Sequence, residues 1–215
     1  MIKKPKIIFI DWAKTLSNTR FWEHLQYGTE QQKDLFQKID KVLFHSTKDL
    51  SQWMKGEVNY KNVLEIVTQE INEDFKVINK HFIKSCREME FISKNIPKLI
   101  RKIRSHKIKV YIATDNMDSF NYWTIPSMKL DKLFDGILNS FDIKHLKRDF
   151  DKNGDSLFFS PVFKKEKVTP SETILIDDKE DKDNLFGKYG INYYQVTKER
   201  DLEKMLKEIL LELAS

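Results

Sequence analysis

Side chains that can attack phosphorus, hold a phosphoryl group or bind a metal follow several short apolar segments of the chain. Asp11 ends the first segment, Thr114 follows the second, and Asp177 and Asp178 end a later one. An Asp carboxylate can act as a nucleophile, and Mg²⁺ prefers oxygen ligands, often carboxylates together with substrate phosphate and water. Another hydroxyl stands at Thr15. These residue types predict metal-assisted nucleophilic attack on an anionic, phosphorylated molecule.

Five short apolar segments have the length and the β-branched character of buried strands. They are residues 7–10, 110–113, 136–138, 173–176 and 192–196. Stretches of ordinary crossover length, several of them helix-like, separate the later segments, which predicts an α/β fold with a Rossmann-like, doubly wound parallel sheet. Parallel strands bring their carboxyl ends to one edge of the sheet, where open α/β sheets bind ligands. The candidate side chains should therefore meet at that edge.

Residues 17–93 separate the first predicted strand from the second and have a helical pattern. Apolar residues recur there with the spacing of one helix face in three stretches. These residues are Leu35, Ile39, Val42 and Leu43, then Val63, Ile66, Val67 and Ile71, then Phe75, Ile78, Phe82 and Ile83. We therefore expect a helical cap over 17–93, inserted into an α/β core formed by residues 1–16 and 94–215. Pro97 marks the return to the core.

Composition favours a globular protein that acts on a small anionic molecule. Of the 215 residues, 40% are hydrophobic and 33% charged, and the net charge of +5 comes from Lys and Arg interleaved with Asp and Glu. No run approaches the roughly 18 apolar residues of a membrane span, and Asp11 interrupts the first apolar run, as no signal peptide would. We expect a cytoplasmic protein with neither a membrane nor a nucleic-acid partner. The single Cys86 forms no intrachain disulfide.

The order of these features resembles the haloacid dehalogenase-like (HAD) superfamily over essentially the whole chain. That family has Asp-x-Asp-x-Thr after its first strand, Ser or Thr after the second, and an acidic pair with a later Asp after the fourth. The matching residues are Asp11 and Thr15, then Thr114, then Asp177, Asp178 and Asp183. The segment 17–93 matches the cap that the family inserts after its first motif. The resemblance implies a HAD-like core.

The resemblance also implies a Mg²⁺-dependent hydrolase of a small phosphorylated or phosphonylated metabolite. Asp11 would be the nucleophile, and Thr114 would position the phosphoryl oxygens. Mg²⁺ would be held by Asp11, Asp177, Asp178 and the backbone carbonyl of Ala13. The substrate-binding candidates beside these residues are Thr15, Asp115 and Asn116.

The third family motif is a Lys that neutralises charge on the nucleophile and on the phosphoryl group. Counting forward from the third predicted strand selects Lys147, whereas counting back from the acidic pair favours Lys152. Lys144 is a third choice. We take Lys147 as the catalytic candidate, and the other two remain alternatives.

Ala13 is the main departure from the family pattern. In the family's phosphatases this position is the second Asp, which protonates the leaving group and then activates water, and Ala can do neither. We therefore expect weak phosphatase activity. The sequence Asp-Trp-Ala-x-Thr is also similar to the first motif of phosphonoacetaldehyde hydrolases, which form a Schiff base with a cap Lys. The Lys residues available for that role are Lys33, Lys38, Lys41, Lys48, Lys55 and Lys61.

Two other functions remain open from the sequence. The missing second Asp suits a non-catalytic protein that keeps the fold and binds a phosphate ligand or a protein partner. Dehalogenation, with Asp11 attacking carbon, needs no metal, and the acidic pair Asp177 and Asp178 argues against it. Lys14, where the family often has Gly, is a second departure.

Overall fold

A five-stranded parallel sheet forms the centre of the computed structural model, which describes residues 4–45 and 47–213 and, within them, no side chain of residues 44–49. The strands are β1 (Ile7–Ile10), β2 (Lys109–Thr114), β3 (Gly136–Asn139), β4 (Thr173–Asp177) and β5 (Asn192–Gln195). Their spatial order is β3-β2-β1-β4-β5, and every neighbouring pair is parallel. The predicted α/β fold is confirmed, and each strand differs from its prediction by at most one residue at either end.

Both faces of the sheet are buried at its three central strands, which explains why β1, β2 and β4 are apolar over most of their length rather than alternating. In β1, Ile8 and Ile10 lie in one hydrophobic cluster and Ile7 and Phe9 lie in another. β1 pairs with β2 on one side and with β4 on the other, so it occupies the middle of the sheet. The residue that follows β1 is therefore held between the ends of two neighbouring strands.

Within the residues that the structure describes, eleven α-helices surround the sheet or lie in the long segment between β1 and β2. They are α1 (Glu30–His45), α2 (Thr47–Met54), α3 (Tyr60–Ile71), α4 (Phe75–Arg87), α5 (Ile96–Ser105), α6 (Ile125–Met128), α7 (Leu130–Leu133), α8 (Ser140–Ile143), α9 (Ser160–Glu166), α10 (Leu185–Tyr189) and α11 (Leu202–Glu212). α5 and α11 cover the sheet face of Ile8, and α9 and α10 cover the face of Phe9. None of the described helices combines the length and the apolar character that crossing a membrane requires.

Helices α1 to α4 lie between β1 and α5 and share a hydrophobic cluster around Trp53 and Phe82, both fully buried. Asn59 caps α3 and Asp74 caps α4 by accepting backbone N–H groups of the first turn, a role for which Asn and Asp side chains are well suited. The two ends of residues 17–93, which are called the insertion below, lie side by side, since the Ile92 N–H donates to the Leu16 carbonyl at 2.8 Å.

Candidate active site

The carboxyl ends of the three central strands bring Asp11, Thr114 and Asp177 to the same sheet edge. Asp11 directly follows β1, and its backbone N–H donates to the Ile176 carbonyl of β4 at 2.9 Å. Asp177 is the last residue of β4, and Thr114 is the last residue of β2. All three are buried, with exposed fractions of 4% or less. The strand register therefore fixes the backbone from which each side chain projects.

Lys147 is the lysine that lies in this group of side chains. Its ammonium is 2.8 Å from Asp11 Oδ1 and 2.5 Å from Asp177 Oδ2, and its side chain is 3% exposed. The two alternative lysines lie elsewhere: Lys152 is exposed, and Lys144 donates to the Gly56 carbonyl of the insertion. A buried lysine between two carboxylates can neutralise charge on an anionic ligand at the same edge.

The backbone around Lys147 is held by the loops that follow β2 and β4. The Lys147 N–H donates to Asp115 Oδ1 at 2.8 Å, directly after Thr114. The neighbouring Arg148 donates to the Glu180 carbonyl at 2.6 Å and lies 3.6 Å from the carboxylate of Asp181. Both loops therefore position the chain segment from which the Lys147 side chain reaches Asp11.

The pKa values of the three carboxylates of the site are shifted in different directions. Burial raises the pKa of Asp11 to about 7, against the lowering effect of the Lys147 ammonium and with a further raising contribution from Asp177. Burial also acts on Asp177, but Lys147 and a hydrogen bond from the Lys179 N–H hold its pKa below the ordinary value. The pKa of Asp178 is raised by burial and by the charge of Asp177. Nucleophilic attack by Asp11 requires its carboxylate form.

The same carboxylates fit a small divalent cation. Asp11, Asp177 and Asp178 each offer one oxygen, and these oxygens all lie within 4.8 Å of one another. Opposite oxygens in a Mg²⁺ octahedron are separated by about 4.2 Å, twice the usual Mg–O distance of about 2.1 Å. Two of these carboxylates, Asp11 and Asp177, share one buried ammonium, that of Lys147.

Two threonine hydroxyls at the site have no hydrogen-bond partner within the described residues. Thr114 Oγ1 and Thr15 Oγ1 are buried, and both residues are 0% exposed. Buried polar groups are normally paired, so an unpartnered hydroxyl calls for an explanation such as a missing ligand or water. The Thr114 hydroxyl, at the end of β2, is available to donate to an anion bound at the sheet edge.

The other two substrate-binding candidates have backbone partners. Asp115 accepts the Lys147 N–H, as described above. The side chain of Asn116 accepts the Met117 N–H at 2.9 Å, and its backbone N–H donates to Ser140 Oγ at 3.0 Å. Both residues therefore order the loop after β2, and their role toward a substrate stays a prediction.

The turn after Asp11 holds Lys14 in a backbone conformation that favours glycine. Trp12 points into the core, with its ring 5.0 Å from that of Phe120, whereas Ala13 and Lys14 are exposed. Lys14 has φ of 56°, in the left-handed region. Glycine adopts this conformation without steric cost, whereas a residue with a Cβ is disfavoured by roughly 1–2 kcal/mol. Lys14 therefore adopts, at a steric cost, a backbone conformation that glycine adopts freely.

Among the candidate Schiff-base lysines whose side chains the structure describes, none is buried. Two of them form ion pairs within α1, Lys33 with Glu30 and Lys38 with Asp34, both at 2.7 Å. The remaining described candidates are Lys41 and Lys61, which are exposed, and Lys55, which is partly exposed. The side chain of Lys48 lies outside the described residues. The described lysines therefore lack the burial that would lower a lysine pKa for Schiff-base formation.

Two aspartates that the sequence reasoning missed are structurally important here. Asp181 accepts the backbone N–H groups of Leu185 and Phe186 at the start of α10, whereas Asp183, the later Asp of the fourth motif, is exposed. Asp118 is 1% exposed and accepts hydrogen bonds from the Trp53 indole and the Tyr60 backbone N–H. The signal available for Asp181 was its position before an apolar helix start, which is typical of a capping residue.

Comparison with known proteins identifies the class to which this architecture belongs. No protein-family model and no curated protein sequence matches the chain. Among solved structures, a HAD family enzyme from Bacteroides thetaiotaomicron in its magnesium complex aligns with a TM-score of 0.69 and 18% identity, covering 95% of this chain and 100% of that one. The chain therefore has the HAD-like fold, as expected from its motifs.

Dehalogenases share the same architecture. A dehalogenase solved with an intermediate complex aligns with a TM-score of 0.68 and 15% identity over 100% of both chains. The L-2-haloacid dehalogenase from Xanthobacter autotrophicus aligns with a TM-score of 0.63 and 11% identity, covering 95% of this chain and 88% of that one. The likeness extends over the insertion as well as the sheet, because nearly the whole chain is covered in each case.

Proposed function

We propose that this protein is a HAD-like hydrolase that transfers a phosphoryl group of a small metabolite to Asp11 and then to water. The observation that carries this proposal is the buried ammonium of Lys147, which lies 2.8 Å from Asp11 and 2.5 Å from Asp177 at the sheet edge. A cation in this position can neutralise an anionic substrate next to an anionic nucleophile. The partnerless Thr114 hydroxyl supports the same anion site.

The chemistry divides into two displacements at phosphorus. The Asp11 carboxylate attacks phosphorus, and the bond from phosphorus to the leaving-group oxygen breaks, with the electron pair going to that oxygen. Water then attacks the phosphorus of the aspartyl phosphate, which releases inorganic phosphate and restores the carboxylate. Lys147 and Thr114 hold the phosphoryl oxygens in both steps. For a phosphonate substrate, the bond that breaks in the first step joins phosphorus to carbon, and its electron pair goes to that carbon, where a neighbouring carbonyl of the substrate must stabilise it.

Magnesium would be held by Asp11, Asp177, Asp178 and the Ala13 carbonyl, and it would supply positive charge between the nucleophile and the phosphoryl oxygens. The acidic cluster on which this assignment rests is present in the structure. A relative in fold, the HAD family enzyme from Bacteroides thetaiotaomicron, was crystallised as a complex with magnesium and inorganic phosphate. The phosphate bound in that enzyme supports phosphate chemistry over dehalogenation for the present chain, whose site has both acidic residues, Asp177 and Asp178.

Ala13 limits the leaving groups that this site can expel. A general acid contributes typically 10²–10⁴-fold to the rate, and the exposed methyl group of Ala13 donates no proton. The leaving group would therefore take its proton from water, from the substrate itself or from residues 17–93. We expect activated phosphate esters or acyl phosphates to react faster than simple alkyl phosphates. We also propose that residues 17–93 act as the cap that encloses the substrate.

A non-catalytic phosphate-binding protein is the second candidate function. The absence of a carboxylate at Ala13 favours it, since the remaining groups could bind an anion without turning it over. Dehalogenation is a third, given that two of the structural relatives are dehalogenases.

Trapping of the nucleophile tests the proposal directly. We expect Mg²⁺ with beryllofluoride to modify Asp11, visible as bound fluoride in ¹⁹F NMR, and we expect the Asp11→Asn variant to give no such signal. A wild-type protein that binds neither Mg²⁺ nor beryllofluoride would favour the non-catalytic candidate. Halide release from a haloacid without Mg²⁺ would instead favour dehalogenation.

The Ala13→Asp variant tests whether the site lacks only its general acid. We expect phosphatase activity on alkyl phosphates to rise by about 10²–10⁴-fold, the usual contribution of a general acid. An activity gain confined to alkyl phosphates, with little change for activated esters, would match this explanation. A variant that folds and binds Mg²⁺ but gains nothing would contradict it.

A further inference from the structure

The turn between α2 and α3 lies directly on the chain segment that carries Lys147. Three successive residues of this turn, 54–56, each contact a residue of the segment 140–149. The contacts are Ser140 Oγ donating to the Met54 carbonyl (2.7 Å), Lys55 Nζ with Asp149 Oδ2 (3.0 Å) and Lys144 Nζ donating to the Gly56 carbonyl (3.2 Å). The insertion is therefore joined to the segment that supplies the buried lysine of the site.

Gly56 shows how closely the two parts approach. Its φ is +66°, and a Cβ on it would lie 2.1 Å from Lys144 Nζ and 2.7 Å from the Phe141 carbonyl oxygen. The second of these atoms belongs to the backbone, so it cannot simply move aside. The turn fits against the segment only because residue 56 has no side chain.

Asp149 connects this contact to the backbone around Lys147. Its Oδ2 accepts the Leu146 N–H at 2.9 Å, and the same oxygen is 3.0 Å from Lys55 Nζ. The Leu146-to-Asp149 hydrogen bond closes a short turn that has Lys147 inside it. Lys55 therefore binds the carboxylate that shapes the backbone at Lys147.

We propose that Lys55 is a positioning residue for Lys147, and this rests on the proposed function, in which Lys147 serves the reaction at Asp11. Lys55 itself binds Asp149 and does not enter the site. Because Nζ of Lys147 stands at the end of a long side chain, a shift of its backbone moves the ammonium relative to Asp11. Small displacements of a catalytic group reduce the rate strongly, by about 100-fold for an ångström. The ion pair is partly exposed, so it contributes little to stability.

The test compares Lys55→Met with Lys55→Arg and with a matched control, Lys38→Met. Lys38 also forms an ion pair in the insertion, but with Asp34 of its own helix. The first measurement is amine labelling of Lys147 followed by mass spectrometry, since a side chain that is 3% exposed should be protected in the wild type. We expect severalfold faster labelling of Lys147 in Lys55→Met and wild-type protection in the other two variants.

The second measurement is steady-state hydrolysis of an activated phosphate ester. We expect Lys55→Met to lower kcat by about tenfold with KM nearly unchanged, since a sub-ångström shift should cost less than the 100-fold of a full ångström. Lys55→Arg should restore kcat because it keeps the positive charge. Asp149→Asn, which removes the ion pair while keeping an oxygen for the Leu146 N–H, should resemble Lys55→Met.

Wild-type protection of Lys147 in both folded Lys55→Met and Asp149→Asn would overturn the proposal. So would a loss of kcat in Lys55→Met that the Lys38→Met control shares. If one variant fails to fold, as circular dichroism would show, the other decides. Labelling does not depend on turnover, so a protein without hydrolase activity would contradict the proposed function while labelling still decided whether Lys55 fixes Lys147.

Discussion

At the scale of single residues, the site is defined by one buried cation among carboxylates. Lys147 touches both Asp11 and Asp177, yet burial still raises the pKa of Asp11 to about 7. The difference between the two aspartates is local: Asp177 also accepts the Lys179 N–H, which favours its charged form. A bound metal ion would therefore change the charge of Asp11, the nucleophile candidate, more readily than that of Asp177.

Magnesium affinity should depend on pH because a proton and Mg²⁺ compete for Asp11. An Asp with a pKa of about 7 is mostly protonated at pH 6, and a bound cation must displace that proton. We expect the apparent affinity to rise by nearly tenfold between pH 5 and 6, to rise less between 6 and 7, and to level off above pH 7, as one competing proton requires. Calorimetric titration with Mg²⁺ at several pH values measures this.

The matched control for this prediction is Asp11→Asn, in which no proton competes at this position. Its weaker binding of Mg²⁺ should vary much less between pH 5 and 7 than that of the wild type. Equal pH dependence in the two proteins would show that another group controls the titration.

The residues of the site were easier to predict from the sequence where a strand fixes the position of the residue. Asp11, Thr114 and Asp177 could be placed together because each ends a buried strand of a parallel sheet. The sequence favoured Lys147 but left Lys152 and Lys144 open, since the segment after β3 is a loop whose path depends on contacts with Asp115 and Asp149. The contact with Asp115 joins residues 32 positions apart, and neither contact leaves a periodic pattern.

At the scale of elements, strands and long helices followed from their hydrophobic patterns, and short elements did not. The central strands β1, β2 and β4 are buried on both faces, so their apolar segments are easy to recognise. The π-helix Phe120–Thr124 and the four-residue helices α6, α7 and α8 are too short to show a period. Of these short elements, α8 directly follows β3 and therefore lies at the carboxyl edge of the sheet, where the site is.

A histidine pair joins two elements of the insertion. His24, in the 3₁₀ turn Glu23–Tyr27, and His81, in α4, have facing ring nitrogens 3.0 Å apart, Nε2 and Nδ1. One proton suffices for this hydrogen bond, and a second would place two positive rings against each other. Burial lowers the pKa of both rings, and Lys84 lowers both further, while Lys80 also acts on His81.

Acidification should therefore weaken the insertion through this pair. Because folding lowers both pKa values, the unfolded chain binds more protons than the folded chain once the pH falls below the ordinary value of 6.5. The stabilisation is present above that pH and is lost as the pH falls from there through the folded-state pKa values. We expect the His81→Asn variant to lose less thermal stability between pH 7 and pH 5 than the wild type, measured by circular dichroism.

His106→Asn provides the comparison for this prediction, since His106 ends α5 and takes no part in the pair. It should retain the wild-type pH dependence. An identical loss of stability in His81→Asn and the wild type would show that acid acts on the insertion through other groups.

At the scale of the whole molecule, the insertion and the core are joined by buried polar contacts as well as by apolar packing. Asp118, four residues after Thr114, accepts the Trp53 indole N–H at 2.7 Å and the Tyr60 backbone N–H at 3.0 Å. Met117, the residue before it, belongs to the same hydrophobic cluster as Trp53. No sequence pattern indicates this role, because the partners of Asp118 lie 65 and 58 positions away.

Removal of the Asp118 carboxylate should destabilise the whole protein. Asp118→Ala leaves the Trp53 and Tyr60 N–H groups without their acceptor in a buried place, and each unsatisfied donor costs roughly 1–3 kcal/mol. We expect the free energy of unfolding in urea to fall by about 2–4 kcal/mol, because water entering the space relieves part of that cost. Asp118→Asn keeps one acceptor oxygen and should lose less, and Asp34→Ala, an exposed helix position, should change little. Tryptophan fluorescence follows four tryptophans, two of which, Trp22 and Trp53, lie in the insertion, and circular dichroism follows the whole chain. Coincident transitions in the wild type that separate in Asp118→Ala would show that this carboxylate makes the two parts unfold as one unit, whereas a variant as stable as Asp34→Ala would show that apolar packing alone joins them.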